Sequence, residues 1–125
     1  MQNLLYALIQ TVHNFGAAAI VAVATHGFWT ARGRAAPRLA WLLAALWALQ
    51  GLTGALFGSV TYLYDGHFPD IHGVAVHALL IKVACVTLGF ILAVHAARTN
   101  RPIWGTSWLL GVTALGSAAF LRWFS

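Results

Sequence analysis

Six histidines, His13, His26, His67, His72, His77 and His95, stand in a chain of 125 residues that otherwise avoids ionisable groups, with 7 Lys+Arg and 2 Asp+Glu. A neutral imidazole offers one nitrogen to a metal while the other donates a hydrogen bond that fixes the ring, and two axial imidazoles suit a haem iron used for electron transfer. His13, His77 and Lys82 carry the strongest signal. Each falls inside a long apolar run, where an ionisable group is costly and faces a cavity, a partner or a cofactor. Lys82 has no acid within reach, because Asp65 and Asp70 stand together in one polar segment. A haem propionate, a quinone, a substrate carboxylate or a carboxylate of another subunit would satisfy its three donors. That same polar segment, Asp65-Gly66-His67-Phe68-Pro69-Asp70-Ile71-His72, places two Asp and two His within eight residues. Imidazole with carboxylate suits a divalent ion such as Cu(II) or Zn(II), so Asp65, His67, Asp70 and His72 form a candidate metal site. Asp-Gly and Pro-Asp are also ordinary turn chemistry.

The elements that position these residues follow from composition. Hydrophobic residues make up 61% of the chain and charged ones 7%, against about 25% charged in a soluble domain. The apolar surplus exceeds what a core of this size holds, which excludes an ordinary soluble enzyme and points to lipid. Four apolar runs of spanning length, 4–28, 37–64, 71–97 and 103–124, are separated by short polar segments. The predicted fold is an all-α, integral membrane, antiparallel four-helix bundle forming a single domain over 1–125. The run at 4–28 lacks a basic leader, so it reads as a retained helix and not as a signal peptide.

Orientation follows from the basic residues. Arg32, Arg34 and Arg38 follow the first run and Arg98 and Arg101 the third, which predicts those ends on the cytoplasmic side and both termini outside, in a multi-pass inner-membrane protein. The formal charge of +5 is then a topology signal and implies no nucleic acid. Cys85 is alone, so no disulfide framework, thiolate zinc site or covalent haem attachment is present. Met1 is the only methionine, which leaves no thioether for a soft Cu(I) path.

Depth sets the pairing. The first and third runs cross in the same direction, so His13 matches His77 in the outer half and His26 matches His95 at the inner side. The separations within the two runs are about 20 Å and about 27 Å, and His77 and His95 share a face while His13 and His26 diverge by about 140°. One haem, on His13 and His77, is therefore favoured over two, with His26 and His95 as ligands of the second. The second run carries Gly51, Gly54 and Gly58 on one face, which admits a neighbouring helix or a flat ligand at close range.

The stretch Val76-His77-Ala78-Leu79-Leu80-Ile81-Lys82-Val83-Ala84-Cys85-Val86, running on to His95 and Arg98-Thr99-Asn100-Arg101, resembles two groups of small membrane proteins. One is the CopD family of copper-resistance proteins. The other is the HemJ type of protoporphyrinogen oxidase, a four-helix protein whose His on the first helix and Lys then His on the third are similar to His13, Lys82 and His95. The first resemblance implies copper transport, with the outer loop as entry site and inward histidines as relay. The second implies b-type haem and porphyrin chemistry. The leading expectation is a membrane-embedded b-type haem protein for electron transfer, quinol-linked or a small haem-bearing subunit of a larger redox complex, with a periplasmic redox partner or partner subunit. Its alternatives are a CopD-like copper protein and a structural subunit without cofactor.

Overall fold

The computed structural model describes residues 1–124. Those residues form four helices, α1 (Gln2–Ala31), α2 (Pro37–Asp65), α3 (Val74–Thr99) and α4 (Trp104–Phe124), and no strand. All four are long and apolar enough to cross a membrane. Local chemistry sets their ends. Arg32 and Asn100 close α1 and α3 in the left-handed conformation at φ 44° and 52°. Gly66 closes α2 at φ 75°, its N–H donating to Tyr62 O at 3.0 Å, the geometry for which glycine is the usual cap. Pro37 opens α2, where its missing N–H costs nothing.

The third helix starts three residues later than the apolar run suggests. Gly73 adopts φ 54°, and the Ala75 N–H donates back to His72 O at 3.1 Å. A turn therefore precedes the helix where Ile71 alone would have extended it.

Each helix packs on the next in sequence and α1 packs on α4, while the backbones of the diagonal pairs α1–α3 and α2–α4 stay apart and only side chains cross between them. This is a square bundle. Its two ends differ in how they are filled. At the end bearing Arg32, Arg34 and Arg38, the basic end, Ile20, Leu43, Ala44, Trp47, Ala93 and Trp104 form one buried cluster. Two glycines make room for the indoles. A Cβ at Gly27 would overlap the Trp104 ring, and one at Gly89 the Trp47 ring. Each indole N–H also finds an acceptor, Trp47 at Ser107 Oγ (3.4 Å) and Trp104 at Arg34 O (3.1 Å), as buried indoles require.

The opposite end, bearing Asp65 and Asp70, is tied by thinner contacts. Tyr6 Oη donates to Thr61 Oγ1 at 2.9 Å, and Gln2 Nε2 to Asp65 Oδ1 at 3.2 Å. Around the outside, Leu52, Leu80 and Leu109 are each 60% or more exposed, an apolar jacket that suits hydrocarbon and not water.

Candidate functional site

His13 sits on the same face of α1 as Ile9, Gly16 and Ile20, all of them buried, so its ring points into the bundle. Three helices converge on it. Its Nδ1 lies 2.6 Å from Thr53 Oγ1 of α2, and its Nε2 lies 2.9 Å from Lys82 Nζ of α3. The Thr53 hydroxyl also donates to Leu49 O at 2.7 Å. That bond assigns every proton in the chain. Since the hydroxyl hydrogen is used on Leu49, Thr53 Oγ1 accepts from His13 Nδ1–H. Nε2 then carries the lone pair and accepts from Lys82. The result is a neutral imidazole held in one tautomer, its basic nitrogen aimed at an amine.

The reach of Lys82 explains the residue type. The backbones of α1 and α3 stand on a diagonal and make no contact, and only a long flexible stem crosses that gap. Gln50 completes the support by donating from Nε2 to His13 O at 2.8 Å. Gly16 is needed for this, because a Cβ there would fall on the Gln50 amide. Among the described residues no carboxylate takes part, since Asp65 pairs with Gln2 and Asp70 with His72.

Space beside the pair is as informative as the contacts. On α2 the face that carries buried Leu43 and Trp47 continues into Gly54 and Gly58. A Cβ at Gly54 would meet only His13 Cε1, at 3.9 Å, and one at Gly58 would meet nothing within 4 Å. Gly51, on the α3 side, touches only the Val86 side chain at 3.6 Å, so the glycine face serves no close backbone approach. Gly54 is exposed and Gly58 partly exposed, so α2 is open to the outside beside His13, and the bundle is closed two turns away by Trp47, about 10 Å along the helix.

The remaining histidines stand elsewhere. His77 precedes Lys82 by five residues, which turns it about 140° away around α3. Its ring is exposed and its Nδ1 is 3.0 Å from Gly73 O on its own helix end. His13 and His77 are thus not brought together, and both ring nitrogens of His13 already have protein partners. The residues as placed do not form the bis-imidazole pair that the favoured haem requires. His26 and His95 are exposed on outward faces near the basic end, separated from the site by the Trp47–Trp104 cluster, so no line of inward imidazoles crosses the bundle. In the loop, His67 Nδ1 bonds Phe68 O at 3.0 Å, and His72 pairs with Asp70 at 3.2 Å with both side chains largely exposed. Among the described residues, no three His, Cys, Asp or Glu side chains gather where they could share a metal ion.

A groove of about 250 Å³ runs between α2 and α3 along Trp47, Ala48, Gly51, Val86, Thr87 and Phe90, and it contains none of the ionisable residues. Thr53 and Gln50 are the residues of this cluster that the sequence reading passes over, because each is a single polar residue inside an apolar run. Their signal was their spacing. Three residues apart on a helix, they face the same neighbour. Compared with known proteins, the chain matches no family profile, no curated protein and no solved structure.

Proposed function

We propose that the chain is an integral membrane protein whose four helices cross antiparallel with both termini outside, and that Lys82, His13 and Thr53 form an intramembrane proton-exchanging site for a lipid-soluble quinol. The observation that carries this reading is the 2.9 Å contact of Lys82 Nζ with His13 Nε2, made inside an apolar bundle without an acid. Such a pair is costly in hydrocarbon, and its natural complement is a ligand oxygen. The topology is supported by Arg32, Arg34, Arg38, Arg98 and Arg101 gathered at one end, against Asp65, Asp70 and the single Arg122 at the other.

A quinol hydroxyl arriving over Gly54 and Gly58 donates to His13 Nε2, displacing Lys82, whose N–H then donates to the same oxygen. His13 takes the proton of that hydroxyl as one electron leaves to a one-electron redox partner, and the neutral semiquinone stays on the face of α2. Thr53 accepts from Nδ1–H before and after the transfer, so the ring neither turns nor changes tautomer. This is the role that an orienting acceptor plays beside a catalytic imidazole. The flat, side-chain-free face of α2 suits a planar ring, and the Trp47–Trp104 cluster keeps the proton from the basic end. The resemblance of His13 and Lys82 to the paired residues of the HemJ type is compatible with this chemistry.

The test is quinone content and a reduced-minus-oxidised visible spectrum of the protein in nanodiscs. Bound quinone is expected in the wild type and lost in Lys82→Met and His13→Ala, with helical content unchanged. Quinone that survives both substitutions refutes the site. A Soret band abolished by either His13→Ala or His77→Ala would establish a bis-histidine haem and replace the quinol reading.

A further inference from the structure

The surface of α1 exposes Leu4, Leu8 and Phe15 much as α2, α3 and α4 expose Leu52, Leu80 and Leu109, but beside them one stripe of α1 exposes Ala7, Gln10, Asn14, Ala18 and Ala22. Gln10 Nε2 donates to Asn14 Oδ1 at 3.0 Å. That single bond leaves Gln10 Oε1 and the Asn14 amide hydrogens with no protein partner among the described residues. Asn14 is adjacent to His13 in sequence and lies at the depth of the Lys82 pair. Hydrocarbon at that depth offers no hydrogen bond, whereas small residues and amides on a membrane helix are what a second helix packs against.

We propose that this face is a homodimer interface in which α1 packs against α1 of a second copy. The proposal rests on the membrane reading above. It does not depend on the quinol. The argument for a second copy is self-complementarity. A carboxamide carries both a donor and an acceptor, so two identical faces satisfy one another's unpaired groups with no foreign residue. A two-fold axis along the membrane normal sets equal residues at equal depth, placing Gln10 and Asn14 of one protomer opposite those of its partner. Ala7, Ala18 and Ala22 keep the approach short above and below the amides, and their small side chains cost little ordering entropy.

The dimer is tested by the mass of the full-length protein in detergent, from sedimentation equilibrium, and by cysteine crosslinking in native membranes. The wild type is expected to be dimeric. The double substitution Gln10→Leu, Asn14→Leu is expected to weaken association on the order of ten-fold or more while leaving helical content unchanged, as loss of several interhelical hydrogen bonds implies. Ala18→Cys, placed in a Cys85→Ala background, should crosslink to itself on oxidation, and Leu80→Cys on α3 should not. A monomeric wild type, a dimer indifferent to the leucines, or a dimer linked through Leu80→Cys overturns the proposal. So does a different polypeptide that holds this face. Extraction of the chain from membranes by alkaline carbonate would overturn the membrane reading itself, a result distinct from a monomer that stays embedded.

Discussion

Adding one methyl group distinguishes the sealed end of the bundle from the open stretch of α2 at Gly58. At Gly89 a Cβ would overlap the Trp47 ring, which is itself 1% exposed and enclosed by Leu43, Ala44 and Ala93. The indole cannot swing away without leaving Ser107, its hydrogen-bond acceptor. Overpacking of this kind costs about 1–3 kcal/mol. Replacing a helical glycine by alanine returns about 0.5–1 kcal/mol from backbone entropy. Gly89→Ala should therefore lose about 1–2 kcal/mol. At Gly58 the same methyl would meet nothing within 4 Å, so only the entropic gain remains and Gly58→Ala should be stabilised by about 0.5–1 kcal/mol. The two variants should differ by about 2 kcal/mol, more than a ten-fold change in the unfolding equilibrium. Reversible unfolding in mixed micelles, followed by helical circular dichroism and tryptophan fluorescence, measures this directly. If Gly89→Ala is as stable as Gly58→Ala, Trp47 is not seated on α3 and the sealed end does not exist as described.

Three further outcomes follow from the site. Thr53→Val keeps the shape but removes the acceptor of His13 Nδ1–H, and should weaken quinol binding by about 3- to 10-fold, the worth of one hydrogen bond, as read by quinone titration in nanodiscs. Gly58→Leu fills the space one turn beyond Gly54, the glycine that faces His13, and should abolish quinol binding with little change in unfolding midpoint. Binding at wild-type affinity would show that the ligand does not lie on α2. His72→Ala breaks a pair with Asp70 whose members are 76% and 82% exposed, so the stability of the bundle should stay within about 0.5 kcal/mol of wild type.

The helices were legible because long apolar runs are a coarse and strong signal. Runs of about 20 apolar residues are rare by chance, and Pro37, Gly66 and the Arg98–Pro102 segment mark their ends without ambiguity. The site was half legible for a related reason. His13 and Lys82 stand out because ionisable groups are expensive in hydrocarbon, whereas Thr53 and Gln50 cost little in any helix and become visible only when their partners are known. The assignment of His77 to the same centre came from matching depth, which fixes position along the membrane normal and leaves direction free. Direction on α3 is decided by Lys82. Five residues separate it from His77, so if one points at His13 the other points about 140° away, and the mid-span lysine, with its nearest acids in the loop, is the one that must turn inward. Depth alone pairs His13 with His77. Depth taken together with the cost of exposing an amine to lipid pairs it with Lys82, and that pair is found at hydrogen-bond distance.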